Sequence, residues 1–130
     1  MAISLPVKTR TRMEMVDITA RIQGELSKHG FQDGLCVVYV PHTTAGITIN
    51  EGADPAVCHD ILSTLSELVP PGAGYRHLEG NADSHIKASL MGSSVLVLVE
   101  NGRLVLGTWQ KIFFCEFDGP RNRKVILKTQ

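Results

Sequence analysis

Val95-Leu96-Val97-Leu98-Val99-Glu100-Asn101-Gly102-Arg103-Leu104-Val105-Leu106 is the stretch that decides the fold. Two β-rich apolar runs flank Asn-Gly, the dipeptide that most readily supplies the positive φ angles of a tight hairpin turn, so this segment reads as two antiparallel strands. Two more strands fit Lys111 to Phe117 and Lys124 to Lys128, separated by Asp118-Gly119-Pro120. Working back toward the N-terminus, Leu35 to Val40 is a β-rich run ended by Pro41, and Ala45 to Asn50 alternates like a further strand. A short opening strand spans about Ile3 to Thr9.

Three helices interrupt the strands. Asp17 is a good N-cap for a helix whose Ile18, Ile22 and Leu26 form one apolar stripe, closed by Gly30. Asp54-Pro55 starts a second, running to about Val69, where Pro70-Pro71-Gly72 stops it. Ser84 can cap a third, from His85 to about Met91, ended by Gly92. With roughly seven strands joined by hairpin-style connections, the expectation is an α+β fold of mostly antiparallel sheet layers with about three helices. The 130 residues fit one domain, 1–130, and no repeat or low-complexity linker divides them.

Composition narrows the function. Thirteen Lys+Arg balance thirteen Asp+Glu, so the basic excess that nucleic-acid binding normally requires is missing. Zero net charge also removes the repulsion that keeps proteins apart, which suits self-association. The three cysteines are widely spaced, with no CxxC pair and no disulfide framework, and Cys36 and Cys115 lie in apolar runs as small hydrophobes. Met1 to Lys8 carries no charged region followed by a long apolar stretch, and no run reaches membrane-spanning length. A soluble, cytoplasmic chain is expected.

The chemistry points to histidine, which binds metals when neutral and exchanges protons near physiological pH. His29, beside Gly30, reads as a helix-capping residue. His42 follows Pro41 at a strand exit and precedes Thr43 and Thr44. It either faces a cleft from a rigid sheet or belongs to a polar loop whose threonines bond the backbone. His59 and Asp60 fall outside the apolar arc Val57, Ile61, Leu62, Leu65, Leu68 and Val69, hence in solvent unless a second subunit covers them. His77 and His85 bracket Leu78 to Ser84 with no standard zinc spacing, yet loops can still bring His42, His77 and His85 around a divalent ion, zinc or magnesium.

A helix starting at Ser84 would also offer unpaired N–H groups to a phosphate, with Asn81 and Lys87 nearby and Arg121 and Arg123 as further anion-gripping groups. Glu51 and Glu116 end apolar strands as candidate acid/base groups or metal ligands, or equally as charged edge residues. Trp109, the single tryptophan, fits a core or interface role better than substrate stacking. P-loop, GxGxxG and GxSxG patterns are all missing.

These residues together resemble a known family. His42-Thr43-Thr44-Ala45, Asn50-Glu51, Asp54-Pro55, His59-Asp60, Tyr75-Arg76-His77, Glu79-Gly80-Asn81, Ser84-His85-Ile86-Lys87, Gly107-Thr108-Trp109-Gln110 and Asp118-Gly119-Pro120-Arg121 are similar, in order, to the YjbQ-like family, often described as secondary thiamine-phosphate synthase enzymes. The resemblance implies a homotrimer with clefts between subunits, which would bring His59 and Asp60 into a site. It also implies a reaction: joining hydroxymethylpyrimidine diphosphate to a thiazole phosphate with release of pyrophosphate. In that scheme His42, Glu51, His59, Asp60 and His85 are catalytic candidates, while Thr43, Thr44, Asn81, Ser84, Lys87, Arg121 and Arg123 bind the small phosphorylated substrate. The alternatives are a metal-dependent hydrolase of a small phosphorylated or amide substrate and a non-catalytic trimer that binds an anion or metal.

Overall fold

The computed structural model describes residues 2–130. In chain order the elements are β1 (Ala2–Lys8), β2 (Glu14–Asp17), α1 (Thr19–Lys28), β3 (Gly34–Tyr39), β4 (Ala45–Glu51), α2 (Pro55–Leu68), α3 (Ala82–Met91), β5 (Ser94–Glu100), β6 (Arg103–Leu104), β7 (Gln110–Glu116) and β8 (Asn122–Thr129). The strands form a five-stranded sheet of order β1-β8-β3-β5-β6 and a three-stranded sheet of order β2-β7-β4. Every ladder is antiparallel. The expected α+β class is what forms, with three helices among the described residues.

The Asn101-Gly102 turn takes the backbone its sequence dictates, with φ of 52° and 75°. Register follows the pleat. Val97 and Val99 of β5 point inward with Cys36 and Val38 of β3 and Val125 and Leu127 of β8, while Leu96 and Leu98 point out. Ala45 and Ile47 of β4 and Ile112 and Phe114 of β7 close this core from the other sheet, and Ile18, Ile22 and Leu26 of the α1 segment pack into it. The apolar run of β7 is buried on both sides. Its other face sets Phe113 and Cys115, with Phe117 just beyond, against Ala88 and Met91 of α3 and Leu62 and Leu65 of α2. The layers are therefore large sheet, small sheet, helices. Among the described residues no layer covers the outer face of the large sheet, where Leu35, Val37, Leu96 and Leu98 are exposed.

Several boundaries depart from expectation. β2 is an added strand, since Glu14–Asp17 is too short to announce itself and exists by pairing with β7. Asp17 precedes the N-cap, Ile18, although its Oδ1 still accepts the Thr19 N–H at 3.0 Å. Asp54 caps α2 as read, accepting the Ala56 N–H at 2.9 Å. Leu68, placed on the apolar arc of that helix, is exposed, because α2 buries no residue fully. Trp109 is 62% exposed and so is no core residue of the protomer. Among the described residues no helix is long and apolar enough to cross a membrane.

Candidate functional site

β3 stops at Tyr39, opposite Ile126, so the backbone N–H of Lys124 lies beyond the end of that ladder. A strand N–H left outside its ladder bonds water or a side chain. His42 supplies the side chain: its Nε2 accepts from the Lys124 N–H at 3.0 Å. The ring packs edge-on to Phe114, 6.4 Å between centroids. Burial lowers the His42 pKa from its ordinary value, the neighbouring Arg123 and Lys124 charges add to that, and the Lys124 N–H and Glu116 act the other way in the balance. His42 is thus held toward its neutral form.

Beneath it lies a buried ion pair. Arg123 donates through Nε to Glu116 Oε1 at 2.8 Å and through Nη2 to Thr44 Oγ1 at 2.8 Å. Glu116 also accepts from Thr9 Oγ1 at 2.7 Å and from the Asp118 N–H at 3.0 Å. Burial alone would raise the Glu116 pKa; the bonds from Arg123, Thr9 and Asp118 outweigh it and hold the carboxylate low. Arg123 and Thr44, expected to grip substrate, are instead bound up in this network. Glu116 is a counter-charge rather than an edge residue.

The facing wall is α3, and here the sequence reading needs correction. The helix begins at Ala82 with Asn81 as N-cap, three residues before the expected start. Ser84 is fully buried inside it and donates to the Phe117 carbonyl at 2.6 Å, so it caps nothing and its phosphate site does not form. Lys87, one helical turn after Asp83, is buried against that carboxylate at 2.8 Å. Burial works to raise the Asp83 pKa, but Lys87 and Arg12 overcome it and keep the carboxylate charged. Lys87 therefore anchors α3 and does not reach an anion. Asn81 donates to Asp118 Oδ2 at 2.9 Å, and Arg121 bonds the same oxygen at 3.0 Å.

His42 and His85 do come together. With Thr43, Ala45, Ser89 and Ser93 they line one open cavity of roughly 530 Å³ between the β4 entrance and α3. His77 reaches His85 edge-to-face, centroids 5.1 Å apart, and its Nε2 lies 3.8 Å from Glu79. The remaining candidates lie elsewhere in the protomer. Glu51 is at the far end of β4, roughly 20 Å along the strand from Ala45 at about 3.3 Å per residue. His59 and Asp60 pair at 3.5 Å on the exposed face of α2, His59 lining a separate groove with Met13, Leu62 and Ser66. Among the described residues no three His, Cys, Asp or Glu side chains gather closely enough to hold an ion. The trio His42, His77 and His85 thus does not assemble as a metal site within one chain, and His42 Nε2 is already committed. The cysteines offer no thiolate, since burial raises Cys36 and Cys58 and pushes Cys115 up to about 12. Lys124 escaped the sequence reading, although a lysine opening a strand is visible there; what ties it to His42 is a contact across 82 residues.

Fold and cleft together define a class: a two-sheet α+β protein with a histidine-lined cavity where one strand enters the small sheet beneath a covering helix. The chain belongs to the YjbQ-like family of UPF0047 proteins, whose model matches residues 3–130. It is 53% identical over 128 residues to the UPF0047 protein MJ1081 of Methanocaldococcus jannaschii, covering 98% of this chain and 93% of that one. Against YugU of Bacillus subtilis the identity is 52% over 126 residues, 96% of each chain. Among solved structures, an uncharacterised conserved protein of this family from Clostridium acetobutylicum superimposes with a TM-score of 0.96 at 52% identity, covering 98% of this chain and 99% of that one. A hypothetical protein from Aeropyrum pernix gives 0.95 at 42% identity, covering 100% and 98%.

Proposed function

We propose that this protein is an enzyme acting on a small phosphorylated substrate in the His42/His85 cavity, with group transfer of the thiamine-phosphate synthase type as its reaction. The observation that carries this reading is the convergence of two histidines with three hydroxyl-bearing residues, Thr43, Ser89 and Ser93, on one open cavity. In that reaction the thiazole nitrogen attacks the methylene carbon of the pyrimidine, the carbon–oxygen bond breaks, and pyrophosphate leaves. The departing oxygens gather negative charge, which N–H and O–H donors fixed in advance can take up. The Lys124 charge, which already bears on His42, adds to the positive field around that ring.

The second half of the proposal is assembly. Leu35, Val37, Tyr39, Leu96 and Leu98 form an exposed apolar face on the large sheet, of the kind that marks a protein interface. A homotrimer built on such contacts would let Glu51, His59 and Asp60 of one chain approach the cavity of another, a reach that no single chain has. A divalent ion, zinc or magnesium, would likewise need a ligand from a second chain, and no step is assigned to it.

The test is to incubate purified protein with hydroxymethylpyrimidine diphosphate, thiazole phosphate and magnesium and to measure thiamine phosphate. His42→Ala and His85→Ala are each expected to lower the rate by about 100-fold or more, the usual scale for a proton-transfer or positioned donor group. Absence of product, or product undiminished in both variants, overturns the reading.

A further inference from the structure

We propose that His42 serves the cavity as a fixed hydrogen-bond donor through Nδ1–H, directed at an anionic phosphate oxygen, and that its Nε2 is withheld from chemistry. The inference deepens the cavity reading above and rests on it for the substrate class. A backbone N–H can only donate, so the ring nitrogen that receives the Lys124 N–H at 3.0 Å must be the unprotonated one. In a neutral imidazole the proton then sits on Nδ1. Nδ1 has no hydrogen-bond partner among the described residues, and the ring borders the cavity.

The surroundings hold this arrangement from two sides. Arg123, next in the chain to Lys124, is locked to Glu116 and to Thr44, two residues beyond His42. The ends of both segments that meet at His42 are therefore tied to one buried pair. Phe114 packs edge-on to the ring. The titratable groups bearing on the ring are Arg123, Lys124 and Glu116; the two cations oppose a second proton on it, and Glu116 is engaged by Arg123. A donor held in one tautomer costs no reorganisation when charge develops opposite it. The same commitment of Nε2 removes His42 as a base through that atom.

The experiment reads the tautomer directly. In uniformly ¹⁵N-labelled intact protein, long-range proton–nitrogen NMR is expected to show His42 Nδ1 protonated and Nε2 unprotonated in the free state. Addition of inorganic pyrophosphate is expected to shift Nδ1 and its proton while Nε2 stays unprotonated. A proton on Nε2, or a Nδ1 signal indifferent to saturating pyrophosphate, overturns the proposal. Variants give a second readout. Asparagine places an amide N–H where Nδ1 stands, whereas glutamine reaches the Nε2 position. His42→Asn is expected to keep pyrophosphate affinity within roughly tenfold, and His42→Gln to lose on the order of 10- to 100-fold, one charge-assisted bond. The reverse order overturns the assignment. The free-state tautomer involves no turnover, so it stands or falls separately from the transfer reaction.

Discussion

At the scale of single residues, the chemistry of the cleft depends on charges that never touch solvent. Among the described residues Glu116 and Arg123 are each other's only full counter-charge, and removing one partner leaves a buried ion. Glu116→Gln is expected to lower unfolding free energy by about 3 kcal/mol or more, measured by urea denaturation. The pH response has a definite sign. His42 is depressed below its ordinary 6.5, so the unfolded chain binds its proton first. Its contribution is complete above 6.5 and is lost as pH falls from there through the folded value. Thermal unfolding between pH 8 and pH 5 is expected to show this loss in the native protein and a flatter profile in His42→Gln; equal slopes would refute it. His42 and His85 were legible as candidates from residue type alone, while their meeting at one cavity depends on the packing of α3 beside the β4 entrance. Arg123 was read as an anion-gripping residue, but its pairing with Glu116 was not legible, for that partner lies on another strand. Asp83 and Lys87 could have been paired from their spacing of four, had the helix start been read at Ala82 rather than behind the better-looking cap, Ser84.

Among the elements, the contact between α3 and β4 sets the width of the cavity. Gly46 sits where a Cβ would come within 2.8 Å of the Gly92 carbonyl and 2.9 Å of Met91 Cβ. Gly46→Ala must push α3 away from the small sheet. An overpacking loss of about 1–3 kcal/mol is expected by denaturant unfolding, together with weakened pyrophosphate binding as His85 moves from His42. Asp54→Ala is the contrasting case. It removes the α2 cap, should cost about 1 kcal/mol, and should leave pyrophosphate affinity unchanged by calorimetry, because α2 lines no part of that cavity. The strands were legible from alternation and turn chemistry, and α2 from its Asp-Pro start. β2 was not, since four residues with no turn signal become a strand only when β7 is there to pair with them.

For the whole molecule, the informative feature is the run that opened the reading. Val95 to Val99 is apolar at every position, which is the mark of a strand buried on both faces. In the protomer only Val97 and Val99 are buried, while Leu96 and Leu98 remain 58% and 51% exposed. The strand was therefore legible in the sequence, but not which of its faces one chain would leave exposed. Replacing Val37 and Leu96, which face each other across β3 and β5, with glutamate is expected to yield a monomer by sedimentation, with circular dichroism unchanged. Retention of the oligomer would remove this face from the assembly. Trp109 stands at the Glu51 end of the small sheet, where its carbonyl accepts the Gly52 N–H at 2.8 Å. Being the chain's sole tryptophan and mostly exposed, it makes the protein self-reporting. Its fluorescence, and the ease with which iodide quenches it, follow whatever approaches the end of β4 remote from His42, with no label added to the chain.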